Sequence, residues 1–163
     1  REKIMIEFEV LSKDNIDEVW RLEQECFDDP WTKKMFESEI DNRVSVYIVA
    51  RDKENERVVG FGGVWTVLDC ADITDIAVAA DYRRCGLGCE IMRLLIQICT
   101  ERGVETMNLE VKTTNAAAIS LYKKMGFEQC GIRKKYYHNR DDAMLMALKI
   151  NPDTDNLTET QKD

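Results

Sequence analysis

Apolar and polar positions alternate at the start of the chain, where Ile4, Ile6, Phe8 and Val10 are interleaved with Met5, Glu7 and Glu9. A period of two predicts a half-buried strand. The period then changes: Ile16, Val19, Trp20, Glu23, Cys26 and Phe27 trace a mostly apolar helical stripe. Asp14 or Asn15 is placed to cap that helix, with Asp17 and Glu18 in its first turn. Pro30 interrupts, and Thr32 can cap a short second helix carrying Phe36 and Ile40. Residues 44–50 and 58–68 are rich in β-formers and are separated by the polar turn 52–57; residues 73–78 form a further apolar strand. Leu87, Ile91, Leu94, Leu95 and Ile98 recur at helical spacing and are closed by Arg102 and Gly103, which predicts a strongly amphipathic helix. Met107, Leu109 and Val111 open another strand, and a helix over about residues 115–125 ends at Gly126. Residues 127–135 and 143–150 are matched as a terminal hairpin, turning through His138, Asn139, Arg140 and Asp141. The order is strand, two helices, three strands, helix, strand, helix, two strands. It predicts one α/β domain on a mixed sheet over residues 1–150, followed by a polar, disordered tail over 151–163.

Composition narrows the function. The chain has 163 residues, enough for one domain with a substantial core. No uncharged run approaches a membrane span, and the start lacks the long apolar stretch of a secretory signal. Six cysteines (Cys26, Cys70, Cys85, Cys89, Cys99 and Cys130) contain no C-x-x-C pair, and His138 is the only histidine. No metal site is expected, and reduced thiols fit a cytoplasmic protein. A net charge of −8 disfavours nucleic acid and suits a basic protein partner. Oligomeric state is not legible.

The stretch with most chemistry is Arg83-Arg84-Cys85-Gly86-Leu87-Gly88, between the apolar strand and the amphipathic helix. A strand, a glycine-bearing loop and a helix N-terminus together make an anion site, because the first turn of a helix has free N–H groups and a positive dipole end. A Walker loop would need four residues between the glycines and then Lys-Ser/Thr. A dinucleotide fingerprint would need a glycine where Ile91 stands. Neither is present. Cys89 falls in the first helical turn beside two arginines, a setting that activates thiols, so Cys89 or Cys85 is expected to react ahead of Cys99.

Arg-x-x-Gly-x-Gly after a strand resembles the pyrophosphate loop of the GNAT (Gcn5-related) N-acetyltransferases. Downstream, Asn115-Ala116-Ala117-Ala118-Ile119-Ser120-Leu121-Tyr122-Lys123-Lys124-Met125-Gly126-Phe127 fits the family pattern Asn-x-x-Ala-x-x-Leu-Tyr-x-x-x-Gly-Phe. The resemblance runs from about residue 4 to residue 150 and is closest to the bacterial ribosomal-protein-alanine N-acetyltransferases. Pro30-Trp31, the Asn-Ile-Ala-Val-like run Asp75-Ile76-Ala77-Val78, Leu109-Glu110-Val111, and Tyr136-Tyr137 with Asp142-Ala143 carry that closer likeness. The resemblance implies a single-domain GNAT fold, with a mixed, mostly antiparallel sheet flanked by helices. It implies acetyl-CoA as co-substrate, no metal, and acetyl transfer to the N-terminal α-amine of a small-subunit ribosomal protein beginning with alanine.

The same resemblance makes Glu110 the general base and Tyr122 the acid near the coenzyme sulfur. Attack on a thioester needs a neutral amine, and a departing thiolate leaves more easily once protonated. Backbone groups of Ile76, Ala77 and Val78 would hold the acetyl and pantetheine arm. The loop from Arg83 through Arg84, Cys85, Gly86, Leu87 and Gly88 to Cys89 would take the pyrophosphate, and Asn115 would contact the arm while also capping its helix. Trp31, Tyr136 and Tyr137 would border the acceptor. The segment His138 to Ala143 departs from the family, which leaves acceptor identity open. The alternatives are another amine (a lysine side chain, a polyamine or a different N-terminus) or a coenzyme-A-binding interaction subunit with little turnover. His138 reads as a surface residue.

Overall fold

The structure is a computed structural model, and it describes residues 4–137 and 141–150, with Tyr136 and Tyr137 as backbone only. Seven strands form one sheet: β1 (Ile6–Val10), β2 (Ser45–Asp52), β3 (Arg57–Val67), β4 (Cys70–Val78), β5 (Thr106–Lys112), β6 (Glu128–Tyr137) and β7 (Asp141–Lys149). Four helices accompany them: α1 (Ile16–Cys26), α2 (Lys33–Ile40), α3 (Leu87–Glu101) and α4 (Ala116–Lys124). The element order is the one the hydrophobic pattern predicts. Strand order in the sheet is β1-β2-β3-β4-β5-β7-β6, so β7 inserts between β5 and β6. Every neighbouring pair is antiparallel except β4 and β5.

That parallel pair is short. Cys70, Ala71 and Asp72 face Thr106, Met107 and Asn108, and the strands then part. The parting coincides with an irregularity in β4. Gly63 faces Asp75 while Val64 faces Ile73, so Thr74 is an extra residue on β4. A bulge of this kind bends its strand and re-aims the side chains after it.

Alternation along β3 sorts the two layers. Gly60 and Gly62 face α3, where an added Cβ would meet Ile91 at 3.0 Å and 2.5 Å respectively. Phe61 faces the other way, edge-on to Phe36 of α2 with ring centroids 5.8 Å apart. Leu87, Ile91, Met92 and Leu95 are buried beneath α3, and Val19, Leu22 and Phe36 beneath α1 and α2. Three positions differ from the expectation. Ile4 and Val10 are exposed, because β1 is an edge strand whose covered face extends only over Ile6 and Phe8. Asn15 occupies the N-cap position of α1 but makes no cap bond. Instead its Oδ1 accepts from the Ser12 N–H (2.8 Å), and its Nδ2 donates to the Val10 carbonyl (2.8 Å) and Glu9 Oε1 (3.2 Å).

Asn15 is therefore a buried staple across the β1–α1 connection rather than a helix cap. Replacing it with Ala removes the partner of the Ser12 N–H and of the Val10 carbonyl, at about 1 kcal/mol for each bond. Asn15→Ala should lower the urea midpoint with the slope unchanged, which circular dichroism would measure.

Candidate functional site

Two cavities flank the opening between β4 and β5. The first, about 860 Å³, runs from Ile76, Ala77 and Val78 of β4 past the loop before α3 to the facing side of α4. Sterics and hydrogen bonds both shape that loop. The 3₁₀ turn Ala80–Tyr82 leads into it. Tyr82 donates its hydroxyl to Asp52, and Arg57 pairs with Asp81 at 2.8 Å while its guanidinium stacks over the Tyr82 ring at 5.5 Å. The loop is thus anchored to the β2–β3 turn. Arg84 (φ +64°) and Gly86 (φ +84°) both adopt left-handed backbone. Gly86 N-caps α3, and the first intrahelical bond runs from the Glu90 N–H to the Gly86 carbonyl at 3.1 Å. The N–H groups of Leu87, Gly88 and Cys89 are left for a ligand.

The two glycines serve different needs. A side chain at Gly86 would meet open space, so its constraint is conformational. A Cβ at Gly88 would lie 3.1 Å from Leu121, so its constraint is the approach of α3 to α4. Arg83 and Arg84 line the cavity, as do Gly86, Leu87, Gly88, Cys89 and Asn115. Arg83 spends its Nε on the Val78 carbonyl (3.1 Å) and reaches Cys26 Sγ with Nη2 (3.8 Å), so it ties the loop to the end of β4. Cys85 does not line the cavity; it is exposed, with its thiol against the Tyr82 carbonyl. Cys89 is largely buried and lines the cavity. Burial pushes the Cys99 thiol up to about 11. Asn115 caps α4, accepting from the Ala118 N–H at 3.1 Å, which leaves its Nδ2 for another partner. Tyr122 is buried on the α4 wall, its ring 6.0 Å from that of Phe127. Cys26, Phe27 and Lys124 also line this cavity and carried no sequence signal of their own.

The second cavity, about 1150 Å³, opens on the other side of the β4 bulge. Glu110 lines it. Along β5, Met107, Leu109 and Val111 point into the core, which turns Glu110 to the opposite face. Arg133 of β6 reaches diagonally across β7 and pairs with Glu110 at 3.1 Å. Trp31 and Trp65 form the far wall, their ring centroids 6.3 Å apart. Each is held by a buried glutamate. The Trp31 N–H donates to Glu23 Oε1 (3.1 Å), and the Trp65 indole donates to Glu39 Oε2 (2.7 Å). Among the described residues, Asp29, Asp72, Glu110 and the guanidinium of Arg133 line the groove. The backbone of Tyr136 and Tyr137 lies in β6, while their side chains, His138 and residues 151–163 lie outside the described residues.

Ile76, Ala77, Val78, the loop, Asn115 and Tyr122 therefore share one cavity, and Glu110 and Trp31 share the other. Among the described residues there is no cluster able to hold a metal ion, and no helix is long and apolar enough to cross a membrane.

A strand-parted sheet with a helix N-terminus beside the gap defines the class, and residues 16–127 match the acetyltransferase (GNAT) family. The chain belongs to that family. It is 40% identical over 134 residues to the [ribosomal protein bS18]-alanine N-acetyltransferase of Escherichia coli strain K12, covering 80% of this chain and 88% of that protein. Its identity to the Salmonella typhimurium enzyme of the same name is 37% over 144 residues, covering 86% and 95% respectively. The crystal structure of the ribosomal-protein-S18-alanine N-acetyltransferase from Escherichia coli superposes with a TM-score of 0.81 at 35% identity, covering 90% of this chain and 95% of that one.

Any side chain at Gly86 must adopt left-handed backbone, at about 1–2 kcal/mol. Gly86→Val should keep the fold and weaken acetyl-CoA binding by about tenfold or more in titration calorimetry.

Proposed function

We propose that the protein transfers acetyl from acetyl-CoA to the N-terminal α-amine of a protein, and that its acceptor is a ribosomal protein with N-terminal alanine, as the names of its relatives say of them. The observation that carries this reading is the separation of Glu110 and Tyr122 onto two cavities that share β4. Acetyl-CoA supplies the acetyl group as an activated thioester. The N–H groups at the start of α3 bind its pyrophosphate, and the open edge of β4 from Ile76 to Val78 orients its arm. Glu110 takes the proton from the acceptor amine, with Arg133 fixing the direction of the carboxylate. The Tyr122 hydroxyl protonates the leaving sulfur. The carboxylates of Asp72 and Glu110 among the described lining residues suit an acceptor that presents an amine. The tryptophan wall gives the first residues an apolar surface.

The test is acetyl transfer to peptides that differ only in the first residue, read by mass spectrometry. Acetyl should appear on the α-amine, with alanine preferred; label on lysine side chains alone would overturn the reading. Glu110→Gln should lose roughly 10²–10⁴ in turnover with acetyl-CoA affinity retained, the range of a positioned proton acceptor. Tyr122→Phe should also lower turnover while keeping its thermal midpoint. Loss of stability with turnover intact would make Tyr122 a packing residue.

A further inference from the structure

Tyr47 of β2 sends its side chain over β3 to β4. Its partner on β3 is Gly63, where an added Cβ would lie 2.3 Å from the Tyr47 ring and 2.6 Å from Thr74 Oγ1. The glycine is the room through which the tyrosine passes. At the far end the Tyr47 hydroxyl is 2.7 Å from Thr74 Oγ1, on the extra residue of the β4 bulge. Phe36 and Trp31 fix the ring, with centroids 6.0 Å and 6.3 Å away. The direction of the hydroxyl bond follows from burial. Tyr47 is 4% exposed, and burial raises its phenol well above the usual range, so the proton stays on it. If Thr74 donated, the Tyr47 O–H would be buried with no other acceptor among the described residues, and groups so placed are rare because they are costly. Tyr47 therefore donates and Thr74 accepts. A hydroxyl has one hydrogen, so that of Thr74 is left to donate elsewhere. Thr74 is half-buried and lines the Glu110 cavity.

We infer that Thr74 donates a hydrogen bond to the carbonyl of the acceptor's first residue, with Tyr47 as the positioning residue behind it, and that this contact selects an α-amine over a lysine side chain. The inference rests on the reading of that groove as the acceptor side. Asp72 and Asn108 are the last pair before β4 and β5 part, and Thr74 and Glu110 each stand two residues further on. They are matched positions on the two diverging strands, and both line the same cavity. An amine within reach of Glu110 and of a thioester on β4 lies in the gap that Thr74 borders. In an N-terminal residue the carbonyl follows the amine by a single carbon, so its oxygen comes to the same rim. A lysine amine has only methylene groups at that distance. Methylenes set against a donating hydroxyl leave it unpaired, and a site built to hydrogen-bond its substrate rejects an analogue that lacks the partner. The bond from Tyr47 occupies one lone pair of the Thr74 oxygen and so restricts where its hydrogen can point. Phenylalanine at 47 would lift that restriction without removing the donor.

The experiment measures kcat/KM of the full chain for an alanine-initiated peptide and for the same peptide with sulfur in place of its first carbonyl oxygen, a weaker hydrogen-bond acceptor. The parent should prefer the oxygen peptide. In Thr74→Val, which keeps the shape and loses the hydroxyl, that preference should fall by about 5–10-fold, the loss of one hydrogen bond, with the acetyl-CoA KM retained. Thr74→Ala, which adds no bulk against the Tyr47 ring, should behave in the same way, and Thr74→Ser should restore the preference. Tyr47→Phe should lower it by a smaller factor. Combined with Thr74→Val it should lower it no further, because Tyr47 acts through Thr74. An oxygen preference unchanged in Thr74→Val would overturn the inference. Equal losses for both peptides, with a raised acetyl-CoA KM, would also overturn it, by making the hydroxyl pair a brace of β4 alone. Acetyl found only on lysine side chains in the parent's products would overturn the reading of the groove instead.

Discussion

Three residue pairs of parallel ladder, ending at Asp72 and Asn108, are the constraint on which the rest of this molecule depends. Had the ladder continued, β4 would spend its backbone groups on β5 and the sheet would be closed. Because it stops, the stretch from Ile73 to Val78 has one edge open, and polar backbone groups at such an edge must find partners elsewhere. The bulge at Thr74 makes the stop durable, since it takes β4 out of register with its other neighbour at the same level. Both cavities and the positions of Glu110 and Tyr122 follow from that one divergence. The helices on either side finish the arrangement. α3 brings its free N–H groups to the gap, and Gly88 lets α4 approach closely enough to form the opposite wall.

The two cavities are held in different ways. The cavity beside the start of α3 is tied by neutral and paired groups: Tyr82 to Asp52, Arg57 to Asp81, and Arg83 to the Val78 carbonyl. The cavity around Glu110 is tied through glutamates instead, with Glu23 and Glu39 each holding a tryptophan. A donor common to a whole family is well served by fixed backbone geometry. An acceptor that varies between enzymes is served by side chains, which substitution can retune without disturbing the sheet.

Most of the fold was legible in the sequence because each element is locally consistent with the whole. Leu87, Ile91 and Leu95 mark α3, and Met107, Leu109 and Val111 mark β5, through burial on one face alone. The donor loop was legible for a related reason, since left-handed backbone at Gly86 and free helix N–H groups are written in neighbouring residues. What failed was whatever needed contacts between distant segments. Val10 continues a perfect alternation yet is exposed, because the pattern cannot say where a covering helix ends. Asn15 has the right residue type for a cap, but the Val10 carbonyl at the end of β1 and the Ser12 N–H beyond it claim its side chain. Glu23 looked like a polar interruption of an apolar stripe and is instead deeply buried, accepting from the Trp31 N–H beyond the end of its helix. The insertion of β7 beside β5 likewise leaves no local trace.

That insertion has a consequence for how the protein is made. Synthesis proceeds from the N-terminus, so β5 and α4 emerge while the strand that completes their sheet is still missing. Until β7 appears, β5 presents a bare edge to its surroundings, and β6 has no neighbour to pair with. Unpaired strand edges are templates for pairing with other chains. The lining of the first cavity ends at Lys124, whereas the Glu110 face needs Leu145 and Met146 of β7. The lining of the first cavity is therefore all synthesised before that of the second, and a product that stops short of β7 keeps the bare edge of β5.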